Sequence, residues 1–163
     1  MSRRLLWLPP PVVTAFTALM MWLTSAWLAD EALVFDEWPG LPWLFWEPAG
    51  WALGVAMIGL VLMLVSAQTL RRANTTLLPF APERASALVT QGIFNYSRNP
   101  IYVGDALLLV AWLLWLGTAI NVLWVALFVL YMSKVQIAAE EQALRQKFGA
   151  AYQAYCQRVR RWL

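Results

Sequence analysis

The chain has 163 residues, 61% of them hydrophobic and only 13% charged, with 11 tryptophans. A soluble domain carries about 25% charged residues, so lipid is expected to solvate much of this surface, and the length leaves room for one domain (1–163) and no separate soluble module. The net charge of +3 is too small to mark a nucleic-acid binder in so apolar a chain, and its placement fits membrane topology instead.

Arg3 and Arg4 precede an apolar run that superficially resembles a signal peptide. The break at Pro9, Pro10 and Pro11, and the lack of a small-residue cleavage site, favour a retained span. Val12 to Leu28 is 17 residues without a charge, long enough to cross a bilayer. Residues 29–48 follow as an acidic, tryptophan-rich connection carrying Asp30, Glu31, Asp36, Glu37 and Glu47. Trp38, Trp43, Trp46 and Trp51 suit the outer headgroup layer, where an amphipathic ring is favoured; a substrate lid is the functional alternative. Ala49 to Leu70 is a second span of 22 uncharged residues, about 33 Å at about 1.5 Å per residue. Its Gly50, Gly54 and Gly59 suit close packing against a neighbouring helix.

All twelve basic residues lie in three places: Arg3–Arg4, Arg71 to Arg98, and Lys134 to Arg161. By the positive-inside rule both termini and the 71–100 segment are cytoplasmic, in a bacterial inner membrane. Residues 73–100, broken by Pro79, Pro82, Gly92 and Pro100, are expected to form a structured loop with little regular helix. Ile101 to Leu116 and Thr118 to Ser133 read as a tight helical hairpin around Gly117, which makes about four spans in all. Ile137, Glu141, Leu144, Phe148, Tyr152, Tyr155, Val159 and Trp162 then mark one face of a helix, with a break at Gly149. The basic residues Arg145, Lys147, Arg158, Arg160 and Arg161 fall off that stripe, so the segment reads as an amphipathic helix lying on the inner leaflet. The expected fold is thus an all-α polytopic bundle: two N-terminal spans (1–70), then the loop, hairpin and C-terminal helix (71–163).

Two carboxylates break the bland pattern. Glu141 stands on the apolar stripe with Glu140 beside it, and a carboxylate among apolar neighbours is costly unless paired. Arg145, one turn on, is the simple structural partner. Asp105 lies one turn inside the third span, where an ionisable group is a functional candidate unless it snorkels to the interface. Histidine is absent, which removes the commonest general base and metal ligand, and no metal is expected. Cys156 is the only cysteine, so no intrachain disulfide forms, and without a basic partner of the histidine type it reads as an inert thiol.

The strongest motif runs from Gly92 to Gly104. It delivers Tyr96, Arg98, Asn99 and Tyr102 to the cytoplasmic mouth of the bundle, with Pro100 opening the third helix. The N–H groups of that helix start offer a partial positive charge to an acceptor. Gly92, Phe94, Tyr96, Arg98, Asn99, Pro100, Tyr102 and Gly104 come first; a hydrophobic hairpin, Glu140–Glu141, Leu144, Phe148, Gly149, Tyr152 and Tyr155 follow in order. Over roughly residues 74–163 this series resembles the isoprenylcysteine carboxyl methyltransferase and phospholipid methyltransferase group.

The resemblance implies an S-adenosylmethionine-dependent methyltransferase. Tyr96, Arg98, Asn99, Pro100, Tyr102 and Gly104 would line the cofactor pocket. Glu140 or Glu141 would accept from the cofactor's amino-acid part or ribose, and Arg98 and Glu141 would act in the reaction. Asn99 stands where many members carry histidine; it can hydrogen-bond to cofactor or backbone but cannot serve as acid or base. Methyl transfer from a sulfonium tolerates that lack, because positioning and desolvation can supply most of the catalysis. A carboxylate or thiolate acceptor needs no base and is favoured over an amine, and Arg98 is able to orient a carboxylate. The partners implied are membrane lipids and a lipophilic or small acceptor. Two other classes compete: a reduced-nicotinamide-dependent reductase of the steroid-reductase type, from which Ile101 and Asp105 depart, and a non-enzymatic membrane subunit.

Overall fold

The computed structural model describes residues 8–28, 48–73 and 86–163, and it is helical, with no strand among the described residues. Helix α1 (Pro10–Trp27) starts on a proline, which forfeits no hydrogen bond at a first helical position. Helix α2 (Pro48–Arg72) ends on Arg71 and Arg72, cations placed favourably at the negative end of the helix dipole. Residues 86–99 have one short 3₁₀ turn, Gly92–Asn95, in agreement with a loop poor in regular helix. Helix α3 (Pro100–Leu116) again opens on proline and closes at Gly117, whose φ of 64° only glycine adopts without strain. After a 3₁₀ turn at Ala119–Asn121, helix α4 (Val122–Tyr131) returns antiparallel to α3. The hairpin expected around Gly117 is therefore present.

Sequence pattern had no means of showing what comes next. Met132–Gln136 form a π-helical turn, and helix α5 (Ile137–Arg158) continues from it, bent at Gly149, where φ is 50° and ψ −122°. Two stretches, Ala49–Arg72 and Ala119–Arg158, are long and apolar enough to cross a membrane alone; Pro100–Leu116 is equally apolar but shorter. Phe16, Leu53, Leu64, Leu123 and Leu130 are exposed on the outer helix faces, as lipid-facing side chains would be. Trp27, Trp51 and Trp115 are exposed too, and all three lie at one end of the bundle. Trp38, Trp43 and Trp46 of the 29–48 connection lie outside the described residues.

The core is built from Met21, Tyr102, Leu109, Phe128, Met132 and Ile137. Polar stitches fix α1 to the hairpin: Trp112 Nε1 donates to Ala18 O (3.0 Å), Trp124 Nε1 to Thr24 Oγ1 (2.9 Å), and Asn121 Nδ2 to Ser25 Oγ (2.8 Å). Asp105 does not snorkel. It is buried within α3. Helices α2 and α3 make the most extensive contact and approach at Gly59 and Gly104. A Cβ built on Gly59 falls 2.9 Å from Gly104 O, and one built on Gly104 falls 2.8 Å from Gly59 O. Here the small residues let two backbones touch.

The apolar stripe of α5 is corrected in one respect. It does not lie on a lipid surface: Tyr152, Tyr155 and Val159 are buried and pack with Leu88, Leu144, Phe148 and Cys156. The stripe turns inward because the 86–97 segment folds over it, and the Tyr155 hydroxyl donates to Phe94 O at 2.7 Å. Burial holds the Tyr152 and Tyr155 phenols above their ordinary range, so both remain neutral donors.

Candidate functional site

The 92–99 loop, the start of α3, the first two turns of α5 and the segment after α5 converge at one end of the bundle. Glu141 is the centre. Its carboxylate is buried, with the side chain 6% exposed, and three guanidiniums face it. Arg98 Nη2 lies 3.0 Å from Oε1, and Arg161 grips both oxygens, with Nε 3.0 Å from Oε1 and Nη2 2.7 Å from Oε2. Arg145, the partner one turn on, stands at 3.8 Å and is 57% exposed, so it adds little. The pairing with Glu141 raises the affinity of Arg161 for its proton still further.

Arg98 is the most constrained of these cations. Its backbone N–H donates to Arg160 O (3.0 Å), and Nη1 donates to Cys156 Sγ. Its Nε is buried without an acceptor among the described residues, an orphan donor at the heart of the site. Cys156 therefore has a basic neighbour after all, supplied by a residue 58 positions away.

Glu140 has a different environment, although it is the next residue. Tyr102 OH and Gln136 Nε2 (2.9 Å) both donate to its Oε1, and among the described residues no arginine pairs with it. Burial pushes its carboxyl up to about 7, and the nearby Glu141 adds to the rise while the two hydrogen bonds oppose it. Two adjacent carboxylates thus have separate roles available: one clamped by cations, one poised near neutrality. The raised value fixes the sign of a pH effect. Folding binds the Glu140 proton more tightly than the unfolded chain does, so this group's stabilising contribution is full below about 4.5 and is lost as pH rises to about 7. Glu140→Gln is expected to flatten stability across that window, as read from thermal unfolding at a series of pH values.

The remaining residues of the 92–104 motif divide by position. Asn99 Nδ2 donates to Arg161 O (2.8 Å), so the side chain holds backbone. Pro100 is buried at the start of α3. Tyr96, at 73% exposed, points away from the cluster, because the 3₁₀ turn that carries it ends there and buries Phe94 and Ser97 instead. Gly104 sits at the α2–α3 crossing against Met63 and Gly59 rather than beside the glutamates. Among the described residues, no group of histidines, cysteines and carboxylates could hold a metal ion.

Sequence reasoning missed Arg161 and Trp162. The chain leaves α5 through Val159 in extended conformation, and Trp162 Nε1 donates to Ser133 Oγ (2.9 Å), while Arg161 Nη1 reaches Ser133 O (3.5 Å). Arg161 had the look of a surface cation because it falls off the helical stripe. The helix, however, has ended by then, and helical phase no longer describes where its side chain goes.

A family model described as phospholipid methyltransferase matches residues 49–151. Protein-S-isoprenylcysteine O-methyltransferase B of Arabidopsis thaliana is 31% identical over 121 residues, 74% of this chain and 61% of that protein. Protein-S-isoprenylcysteine O-methyltransferase A of the same plant is 27% identical over 148 residues, 91% of this chain and 73% of that protein. A Delta(14)-sterol reductase of Mus musculus is 36% identical over 75 residues, 44% of this chain but only 18% of that protein.

Proposed function

Since this chain belongs to the phospholipid methyltransferase family, we propose that it is an integral-membrane enzyme that transfers a methyl group from S-adenosylmethionine to a lipophilic or small acceptor at the cytoplasmic mouth of a four-span bundle. The spans are α1, α2, α3 and the stretch from Thr118 through α4, with both termini and the 86–99 segment on the cytoplasmic side. One observation carries the reading: the buried Glu141 carboxylate, Arg98 with its unpartnered Nε, and the Tyr102–Glu140 pair all meet at the N-terminal end of α3.

The donor set fits the cofactor. Glu141 suits the ammonium of its amino-acid part, the orphan Arg98 Nε suits the carboxylate of that part, and Glu140 with Tyr102 suits ribose hydroxyls. When bound, the cofactor supplies an electrophilic methyl on sulfur. The chain's own work is to orient and desolvate. Arg98 and Glu141 fix each other's position, the inward stripe of α5 excludes water, and apolar outer faces let an acceptor arrive from the bilayer. A carboxylate or a thiol that arrives as its thiolate is the favoured acceptor because it presents its nucleophile without a base, and the chain has no histidine. An amine would need Glu140 as proton acceptor.

Calorimetry on detergent-purified protein tests the proposal: S-adenosylhomocysteine is expected to bind at micromolar levels. The absence of binding to the folded chain would sink it. The sterol-reductase match motivates a parallel titration with NADPH, and binding of NADPH in place of S-adenosylhomocysteine would favour the reductase reading.

A further inference from the structure

We propose that Arg161 is a placeholder for the cofactor's ammonium group: in the resting chain its guanidinium rests on Glu141, and cofactor binding displaces it and loosens residues 159–162. The inference rests on the methyl-transfer reading and deepens it by assigning a residue and a motion to the same site.

Charge makes the case first. Arg98, Arg145 and Arg161 face a single carboxylate, Glu141. S-adenosylmethionine and S-adenosylhomocysteine both bring an ammonium that competes with Arg161 for Glu141, and the sulfonium of S-adenosylmethionine adds further positive charge to a cluster already in surplus. Like charges at this range oppose entry unless one cation leaves.

Position decides which one leaves. Arg98 is 11% exposed and tied by its backbone N–H, by Cys156 and by Glu141. Arg145 stands at 3.8 Å and blocks neither oxygen closely. Arg161 covers both carboxylate oxygens, is 37% exposed, and lies beyond the end of α5 at Arg158, so it can swing out without unwinding a helix. Its hold on the bundle includes the separable hydrogen bonds Arg98 N to Arg160 O, Asn99 Nδ2 to Arg161 O, Trp162 Nε1 to Ser133 Oγ and Arg161 Nη1 to Ser133 O, beside the packing of Val159 and Trp162 against the core. The Arg160 and Arg161 carbonyls pair with the very loop, 98–99, that reaches the candidate site. Displacing the guanidinium therefore frees Glu141 and relaxes the edge of the site together.

The test uses the full chain in detergent, with S-adenosylhomocysteine as the probe. Removing a competing internal cation raises the fraction of chains ready to bind, so Arg161→Gln is expected to tighten the dissociation constant by about fivefold. Arg161→Lys, which keeps a cation, is expected to stay near wild type. Trp162→Phe loosens the tail without touching the carboxylate and is expected to tighten binding as well, which keeps the test open if Arg161→Gln does not fold. In wild type, hydrogen–deuterium exchange is expected to rise in residues 157–163 and at the Arg98 amide when the probe is added. Weaker binding by folded Arg161→Gln, or protection of 157–163 on binding, would overturn the placeholder role and make Arg161 a direct ligand. If wild type binds but its tail does not respond, this inference alone fails; if wild type does not bind at all, the methyl-transfer reading fails with it.

Discussion

Glu141→Gln is expected to abolish S-adenosylhomocysteine binding and to lower the stability of the bundle by about 3 kcal/mol, the scale of breaking a buried ion pair by removing one partner. The loss arises mainly at Arg98. That guanidinium is 11% exposed and already carries one unsatisfied donor, so a neutral amide at 141 leaves it buried without a counter-charge. Arg161 and Arg145 contribute less, being exposed enough to turn toward water. Thermal unfolding and calorimetry on the same preparation separate the two effects, and Glu141→Asp, which keeps the charge, is expected to recover much of the stability. Binding by Glu141→Gln within twofold of wild type would remove Glu141 from the candidate site. Glu140→Gln provides the contrast, because its side chain has no cation to strand.

The second large effect belongs to the crossing of α2 and α3. Gly59→Ala places a methyl 2.9 Å from Gly104 O and 3.2 Å from Leu107 Cβ. Backbone and a β-carbon have nowhere to go, so the helices must separate, at roughly 1–3 kcal/mol, the usual range for overpacking. Gly104→Ala meets Gly59 O at 2.8 Å and also the Met63 side chain, which can move. Both variants are expected to melt lower than wild type. At equal stability in milder conditions, Gly104→Ala is expected to bind S-adenosylhomocysteine as wild type does, because Gly104 touches α2 and not the glutamates. A selective loss of binding with unchanged melting would return Gly104 to the cofactor pocket.

Much of this architecture was legible in the chain because its signals are local. Pro100 and Gly117 bracket α3, the uncharged run through Leu70 marks α2, and the stripe from Ile137 to Tyr155 identifies which face of α5 is inward. Glu141 announced itself by standing on that stripe. The rest depends on contacts distant in sequence. Nothing near Cys156 shows that Arg98 will lie against it, and nothing near Arg161 shows that its guanidinium will reach back 20 positions to Glu141. Tyr96 misled for the opposite reason: its motif company is with Arg98 and Asn99, yet a single 3₁₀ turn sends its ring outward. The stripe of α5 does not tell by itself that protein covers Tyr152 and Tyr155, because an apolar face looks the same whether lipid or protein packs on it.

The π-helical turn at Met132–Gln136 acts as a phase setter for everything downstream. A turn of this kind accommodates one residue more than α-helical geometry allows, and in an α-helix each residue advances the side-chain direction by about 100°. Losing a single residue there would restore regular winding and rotate all of α5 by about that angle relative to α4. Glu140 would swing away from Tyr102, Glu141 from Arg98, and Tyr155 from Phe94, although no member of any pair had changed. Length within 132–136 is therefore under tighter constraint than residue identity, and a single insertion or deletion there is expected to be fatal.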